Sequence, residues 1–212
     1  MENNCKYAAL VLAGGQSKRM GRDKVTVSLF GQSFLARGIS FWKQIPEVSS
    51  IYVGIGSPEH LEKVKEDPEI AALFSEEMDV PVKEVYDLHP GCGPLAGIQS
   101  AFLESDADYL YVSAIDVVNI EKTMVPHPDE SGADAYVYRH AKRTEPLFAL
   151  YSRRVLPAIN QMFDDEIYKM RVLLDRVNTK YLDPGDENLS IFINCNTPEE
   201  LEKVKAMKKE EK

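Results

Sequence analysis

Residues 7–13 (YAALVLA) form an unbroken apolar run that stops at Gly14-Gly15, as expected of a strand buried on both faces. Residues 34–45 place apolar side chains at helical spacing and end before Pro46, which predicts a helix. Residues 51–55 (IYVGI) read as a second strand and 82–86 as a short third one. Between them, 60–65 and 70–77 predict two short helices separated by Pro68. The segment HPGCGPLAGIQSAFL is a glycine and proline loop opening into a helix, with Pro94 suited to the first turn. Residues 109–115 (YLYVSAI) predict a strand ending at Asp116.

The second half alternates less regularly. Residues 133–139 and 147–151 read as strands flanking a polar turn at 140–144, with Pro146 just ahead of the second strand. Helices over 153–163 and 168–177 follow, then a short strand at 191–194. Thr197 precedes Glu200 by three residues, a capping-box pattern that opens a charged C-terminal helix. Trp42 and its neighbours read as core. Alternating strand and helix over the first half predicts an α/β fold with a doubly wound, mostly parallel central sheet. No internal repeat or long linker interrupts the chain, so residues 1–212 are expected to form one domain.

Composition narrows the function. A length of 212 residues, 44% hydrophobic, suits one soluble α/β domain. The net charge of −9 disfavours a general nucleic-acid or anionic-membrane binder, since both partners are repelled at long range. Cys5, Cys92 and Cys195 lie far apart with no C-x-x-C spacing, so neither a zinc site nor a disulfide framework is expected. A reducing cytoplasm is the natural setting, and no apolar run is long enough to predict a membrane span.

Against that acidic background, Lys18, Arg19, Arg22 and Lys24 gather within a span of seven residues just after the first strand's glycine turn. Ligands of open α/β sheets bind beyond the carboxyl ends of the strands, where this cluster falls. Glycine lets backbone N–H groups approach a ligand because no Cβ intrudes. One cation about 4 Å from one anion gains roughly 4 kcal/mol at an effective dielectric near 20. Two or three placed cations therefore outweigh a diffuse repulsion, and the stretch suits a nucleotide's phosphates. It has neither the P-loop order nor G-x-G-x-x-G spacing. Its plain alternative is a turn followed by a solvated basic face.

The stretch LAGGQSKRMGRDK resembles the signature loop of nucleotidyltransferases that load nucleotides onto phosphorylated acceptors. With DLHPGCGPLAGI, the strand ending at Asp116, EPLFALY and INCNTPEEL, the chain is similar to the molybdenum cofactor guanylyltransferase family. The resemblance implies a Rossmann-like nucleotidyltransferase fold with a nucleotide-binding half near 1–118 and an acceptor-binding half near 119–212. It implies transfer of GMP from GTP to the terminal phosphate of molybdopterin cofactor, with Mg2+ and loss of pyrophosphate. Leu12, Ala13 and Gly14 would lie against the nucleotide through their backbone, and Gly15 would permit the close turn. Arg19 and Lys24 match the basic positions expected at the phosphates, whereas Lys18 and Arg22 fall at variable positions.

Asp116 matches the family's metal-binding aspartate and so joins Arg19 and Lys24 as a catalytic candidate; its plain alternative, the lesser one, is a helix N-cap or turn aspartate. Asp87 matches a residue near the guanine or ribose, and Gly93, Pro94 and Gly97 let a helix start close to the base. Arg171, Asn194 and Asn196 are the acceptor candidates. Arg171 equally suits an exposed helix face, and Asn196 a position before the last helix's cap. Molybdoenzymes or their chaperones are the expected recipients of the product. His60, His89, His127 and His140 are scattered and expected to be exposed.

Two positions depart from the family pattern. Val118 stands where a proline usually follows the strand-end aspartate, and GIGSPEH lacks the asparagine expected after the second strand. Three further readings stay open on sequence: a cytidylyltransferase for the same cofactor, another small-molecule phosphate nucleotidyltransferase, and a silent nucleotide-binding protein.

Overall fold

The computed structural model describes residues 5–14, 23–75, 79–141 and 143–210. Strand β1 (Tyr7–Leu12) lies in the sheet's interior, with Ala8, Ala9, Leu10 and Val11 sealed from solvent on both faces. A small hairpin of β2 (Ser28–Leu29) and β3 (Gln32–Ser33) leads into helix α1 (Phe34–Trp42). Strand β4 (Val48–Gly54), helices α2 (Pro58–Val64) and α3 (Pro68–Leu73), and strand β5 (Val82–Val85) follow. Helix α4 (Pro94–Glu104) and strand β6 (Tyr109–Ala114) complete the parallel half. Strands β7 (Ala135–His140) and β8 (Arg143–Ser152), helices α5 (Leu156–Asp164) and α6 (Met170–Arg176), strand β9 (Thr179–Leu182) and helix α7 (Pro198–Glu210) make up the rest.

One seven-stranded sheet runs through both halves in the order β5-β4-β1-β6-β8-β7-β9. Only β8 is antiparallel to its neighbours; the pairs β4–β5, β1–β4, β1–β6 and β7–β9 are parallel. The doubly wound, mostly parallel, single-domain expectation therefore holds. From β1 the chain winds outward to β4 and β5, then returns to add β6 on the other side. That reversal opens a crevice above the carboxyl ends of β1 and β6, the usual ligand position in such sheets.

A hydrophobic layer covers each face. On one, Trp42 of α1 stacks on Tyr111 at 5.1 Å and donates its indole N–H to Ser113 Oγ at 2.8 Å. The pair satisfies a fully buried polar group at the centre of the layer, and Trp42 is core as expected. On the other face, α4, α5 and α6 pack Leu95, Ile98, Phe102, Ile159 and Leu173 against the sheet.

Several boundaries differ from the sequence expectation. Helix α1 stops at Trp42, because residues 43–45 turn through hydrogen bonds back to Ile39, Phe41 and Trp42. Strand β8 begins at Arg143, so the polar turn at 140–144 is mostly paired strand: His140 faces Arg143 directly. Pro146 lies inside β8 rather than before it. The register jumps there, from Tyr138 facing Glu145 to Val137 facing Ala149, and the resulting bulge absorbs the missing backbone donor. The strand expected at 191–194 is a 3-10 turn over Asp186–Phe192 followed by a single antiparallel bridge from Asn194 to Val117. The sheet edge is instead filled by β9. No helix among the described residues is long and apolar enough to cross a membrane.

Candidate functional site

At one end of the crevice, three backbone elements meet closely. Ala13 N–H donates to Gly54 O at 2.8 Å, and a Cβ on Gly14 would stand 3.4 Å from Gly56 N. The ends of β1 and β4 are thus laid side by side with glycine at the contact. A Cβ on Gly97 would come within 2.7 Å of Leu12 Cδ2 and 3.6 Å of Asp87 Oδ1. Leu12, Asp87 and Gly97, far apart in sequence, therefore converge. Burial raises the Asp87 carboxyl above the usual carboxylate range, because a charged carboxylate loses water there.

Helix α4 starts at the same edge. Gly93 takes φ 71 and ψ −154 at the N-cap, a conformation essentially reserved for glycine, and Pro94 follows as the first helical residue. Leu88 N–H donates to Ser100 Oγ at 3.0 Å and ties the preceding loop to the helix. The start of α4, where Pro94 brings no N–H and the Ala96 N–H donates to Gly93 O at 3.1 Å, thus lies at the crevice.

At the other end, a short 3-10 turn over Lys24–Thr26 presents Lys24. Asp23 caps it, accepting from Val25 N–H at 3.1 Å, while buried Val25 and Val27 anchor the turn in the core. The Lys24 ammonium donates to Asp116 Oδ2 at 2.9 Å and to Asn196 Oδ1 at 2.5 Å. Lys24 and Asp116 side chains are only 18% and 14% exposed, so their attraction is screened less than that of a surface pair. Asp116 itself is held by backbone: Ile115 N–H donates to Leu12 O and Cys195 N–H to Asp116 O, both at 3.0 Å. The Asn194–Val117 bridge lies beside these bonds.

Asn196 sits ahead of the last helix's cap, and its side chain also reaches the site. Its amide oxygen meets Lys24, while its backbone N–H donates to Glu200 Oε2 at 2.7 Å in the capping box that starts α7. Cys195, buried between the two asparagines, has its thiol pushed up to about 11 by burial first and by Glu200 and Asp116 after it. It is a packed thiol and not a nucleophile.

One carboxylate oxygen and one amide oxygen converge on a single cation position, filled by the Lys24 ammonium. Among the described residues no group of three or more His, Cys, Asp and Glu side chains could by itself hold a metal. This donor set suits a hard divalent ion of the magnesium type, which takes one or two carboxylates alongside substrate phosphates.

Other expected site residues fall elsewhere. Arg19 and Gly15 lie outside the described residues, as do Lys18 and Arg22. Arg171 is exposed on the first turn of α6, the helix that packs on α5. Asn194 is half-buried, its backbone engaged in the bridge.

Two histidines are not the exposed residues expected. His60 Nε2 lies 2.5 Å from Asp23 Oδ2, and His140 Nε2 lies 2.9 Å from Glu145 Oε1; both rings are partly shielded. His89 and His127 are exposed as expected, although the His89 ring stacks on Phe163 at 4.0 Å and His127 lies 3.5 Å from Glu47. The Asp23–His60 contact escaped sequence reading. Its one local signal is the spacing of Asp23 ahead of the Lys24 turn, where a short acidic side chain caps.

The chain matches the family described as "MobA-like NTP transferase domain" over residues 9–180. It is 32% identical over 200 residues to a "Probable molybdenum cofactor guanylyltransferase" of Bacillus anthracis, covering 92% of this chain and 94% of that one. A relative of the same name from Bacillus cytotoxicus is 30% identical over 207 residues, covering 95% and 98%. Among solved structures, the chain resembles "Molybdopterin-guanine dinucleotide biosynthesis protein A" of Archaeoglobus fulgidus with a TM-score of 0.74 at 23% identity, over 96% of this chain and 99% of that one. It also resembles "4-diphosphocytidyl-2C-methyl-D-erythritolsynthase" of Anaerococcus prevotii, with a TM-score of 0.71 at 11% identity over 97% and 99%. Both structural likenesses bear on the fold alone. On the family match and these sequence relatives together, the chain belongs to the MobA-like NTP transferase domain family.

Proposed function

We propose that this chain transfers GMP from GTP to the terminal phosphate of molybdopterin cofactor. An acceptor phosphate oxygen attacks the α-phosphorus of GTP, the bond to the β-phosphate breaks, and pyrophosphate leaves with that electron pair. A phosphoanhydride then joins guanosine monophosphate to the acceptor. The observation that carries this reading is the convergence of Lys24, Asp116 and Asn196 at the crevice whose other end is the glycine contact of β1 and β4. The names of the sequence relatives supply the substrates.

The protein's work in such a transfer is positioning and charge placement rather than covalent chemistry. The backbone from Leu12 to Gly14, with Asp87, Gly93, Pro94 and Gly97, would hold the nucleoside. Without substrate, Lys24 and Asp116 neutralise each other; a nucleotide's phosphates compete for the ammonium and release the carboxylate. Lys24 then stabilises charge collecting on the leaving pyrophosphate, and Arg19 joins it. Magnesium, held by Asp116 with substrate phosphate oxygens, would supply charge neutralisation of the triphosphate. Asn196, Asn194 and Arg171 face the acceptor in this reading, with residues 119–212 as its half of the domain. The product passes to a molybdoenzyme or its chaperone in the cytoplasm, which co-purification from a host making molybdoenzymes tests.

The deciding assay supplies GTP, magnesium and molybdopterin and measures pyrophosphate and the guanine dinucleotide by mass. Formation of both, with GTP preferred over CTP and UTP, is expected. Preference for CTP would make the chain a cytidylyltransferase for the same acceptor. GTP binding without pyrophosphate release would make it a silent nucleotide-binding protein.

A further inference from the structure

We infer that Asp23 and His60 form a clasp that positions Lys24. The inference rests on the nucleotidyltransferase reading of Lys24 given above. Its basis is that Gly14 and Asp23, the described residues on either side of 15–22, both meet one short segment of the chain. At the leading end, Gly14 lies against Gly56, close enough that a Cβ would stand 3.4 Å from the Gly56 nitrogen. At the trailing end, Asp23 Oδ2 meets His60 Nε2 at 2.5 Å, four residues beyond Gly56.

The two oxygens of Asp23 have separate partners. Oδ1 accepts from Val25 N–H at 3.1 Å and shapes the turn that presents Lys24; Oδ2 takes the His60 ring. A carboxylate only accepts, so His60 Nε2 carries the proton and donates. His60 is itself fixed, because it sits in the first turn of α2, where its N–H donates to the Ser57 capping hydroxyl at 3.2 Å. The pair is partly shielded, with His60 24% and Asp23 32% exposed. A histidine thus reaches across from the segment that lacks the asparagine of the family pattern. Lys24 is the residue next to the clasp, so ordering Asp23 orders the first atoms of its backbone.

Holding Asp23 on α2 lowers the conformational freedom of the Lys24 turn, which nucleotide binding must otherwise remove. His60 is therefore a positioning residue, acting on the phosphates through Asp23 and Lys24. Its loss should appear in KM for the nucleotide more than in kcat.

The test uses the full chain, with pyrophosphate release from GTP and amide hydrogen exchange over residues 23–27 as separate readouts. His60→Ala is expected to raise KM for GTP about tenfold, the scale of one lost charge-assisted hydrogen bond, and to speed exchange at Val25. His60→Gln, which keeps an N–H donor, should recover most of both effects, whereas His60→Phe, which keeps only bulk, should not. A merely structural role would lower the active fraction, and so kcat, equally for Gln and Phe without moving KM. An unchanged KM in an active enzyme, with unchanged exchange, overturns the clasp. If His60→Ala fails to fold, the Gln and Phe variants make the same comparison. If wild type releases no pyrophosphate, the catalytic reading fails, and exchange alone decides whether the clasp holds.

Discussion

The two halves of the sheet treat the same edge differently. Strands β5, β4, β1 and β6 all end there, so four successive loops converge on the crevice. Those loops use small or short residues at the edge: Gly14, Gly54, Gly56, Asp87, Gly93 and Asp116. Strand β8 begins at that edge instead, and its neighbourhood is filled by bulk. Phe192 lies against His140 and Tyr138, His140 pairs with Glu145, and Arg139 stacks over Tyr181 at 4.0 Å. A parallel half leaves room for a ligand's backbone contacts; the half around the antiparallel strand is packed and contributes to the cluster chiefly through Asn196, brought in after β9.

Several substitutions sharpen that contrast, the largest first. Asp116→Ala should reduce pyrophosphate release at least about a hundredfold, a loss of roughly 2.7 kcal/mol in the transition state. A rate near wild type would remove the β6 end from the mechanism. Gly93→Ala places a Cβ at φ 71, with nothing near enough to clash, so backbone strain alone is tested. Destabilisation of about 1–3 kcal/mol is expected, read as a drop in Tm. Glu166→Ala, at φ 55 between α5 and α6, should cost less, because a side chain already occupies that conformation.

Asp87→Asn tests a smaller effect with a defined sign. Burial raises the Asp87 pKa in the folded chain. The folded state therefore keeps this proton to higher pH than the unfolded state. Stability falls as pH rises from the ordinary carboxylate value through the raised one, and the cost persists above it. The asparagine variant should be more stable than wild type at neutral pH, with the gain fading below about pH 4. It should bind nucleotide less well, a site that trades stability for function. Equal thermal stability at both pH values would contradict the assignment of cause. Arg171→Ala is expected to do least: KM for GTP unchanged, KM for the acceptor up severalfold. A raised KM for GTP would draw α6 into the nucleotide half.

The same contrast governs what was legible in the sequence. Residues 7–13 and 109–115 are apolar without alternation because both faces of a central parallel strand are buried, and such runs are hard to misread. Their ends fix Gly14 and Asp116, so half the candidate site follows from two strands. Asn196 was visible through its block and its capping box, although its contact with Lys24, 172 residues away, was not. Strand β9 (TKYL) went unread because all four residues are half-buried at a sheet edge, which leaves neither alternation nor a continuous run. The 191–194 segment looks like a strand by composition, yet it packs Ile191 and Phe192 into the core through a 3-10 turn. Pro146 misled for a local reason: a bulge tolerates proline inside a strand. The Asp23–His60 contact spans 37 residues and two elements, and no local pattern encodes it.

The central claim is that a nucleotide's phosphates occupy the crevice between the Gly14 contact and Lys24, displacing the ammonium from Asp116. A crystal structure with GTP and magnesium tests it directly. The account predicts the guanosine beside Leu12, Asp87 and Gly97, with Lys24 Nζ on a phosphate oxygen and the Asp116 carboxylate parted from it. GTP bound elsewhere, with the Lys24–Asp116 pair still closed, would contradict it.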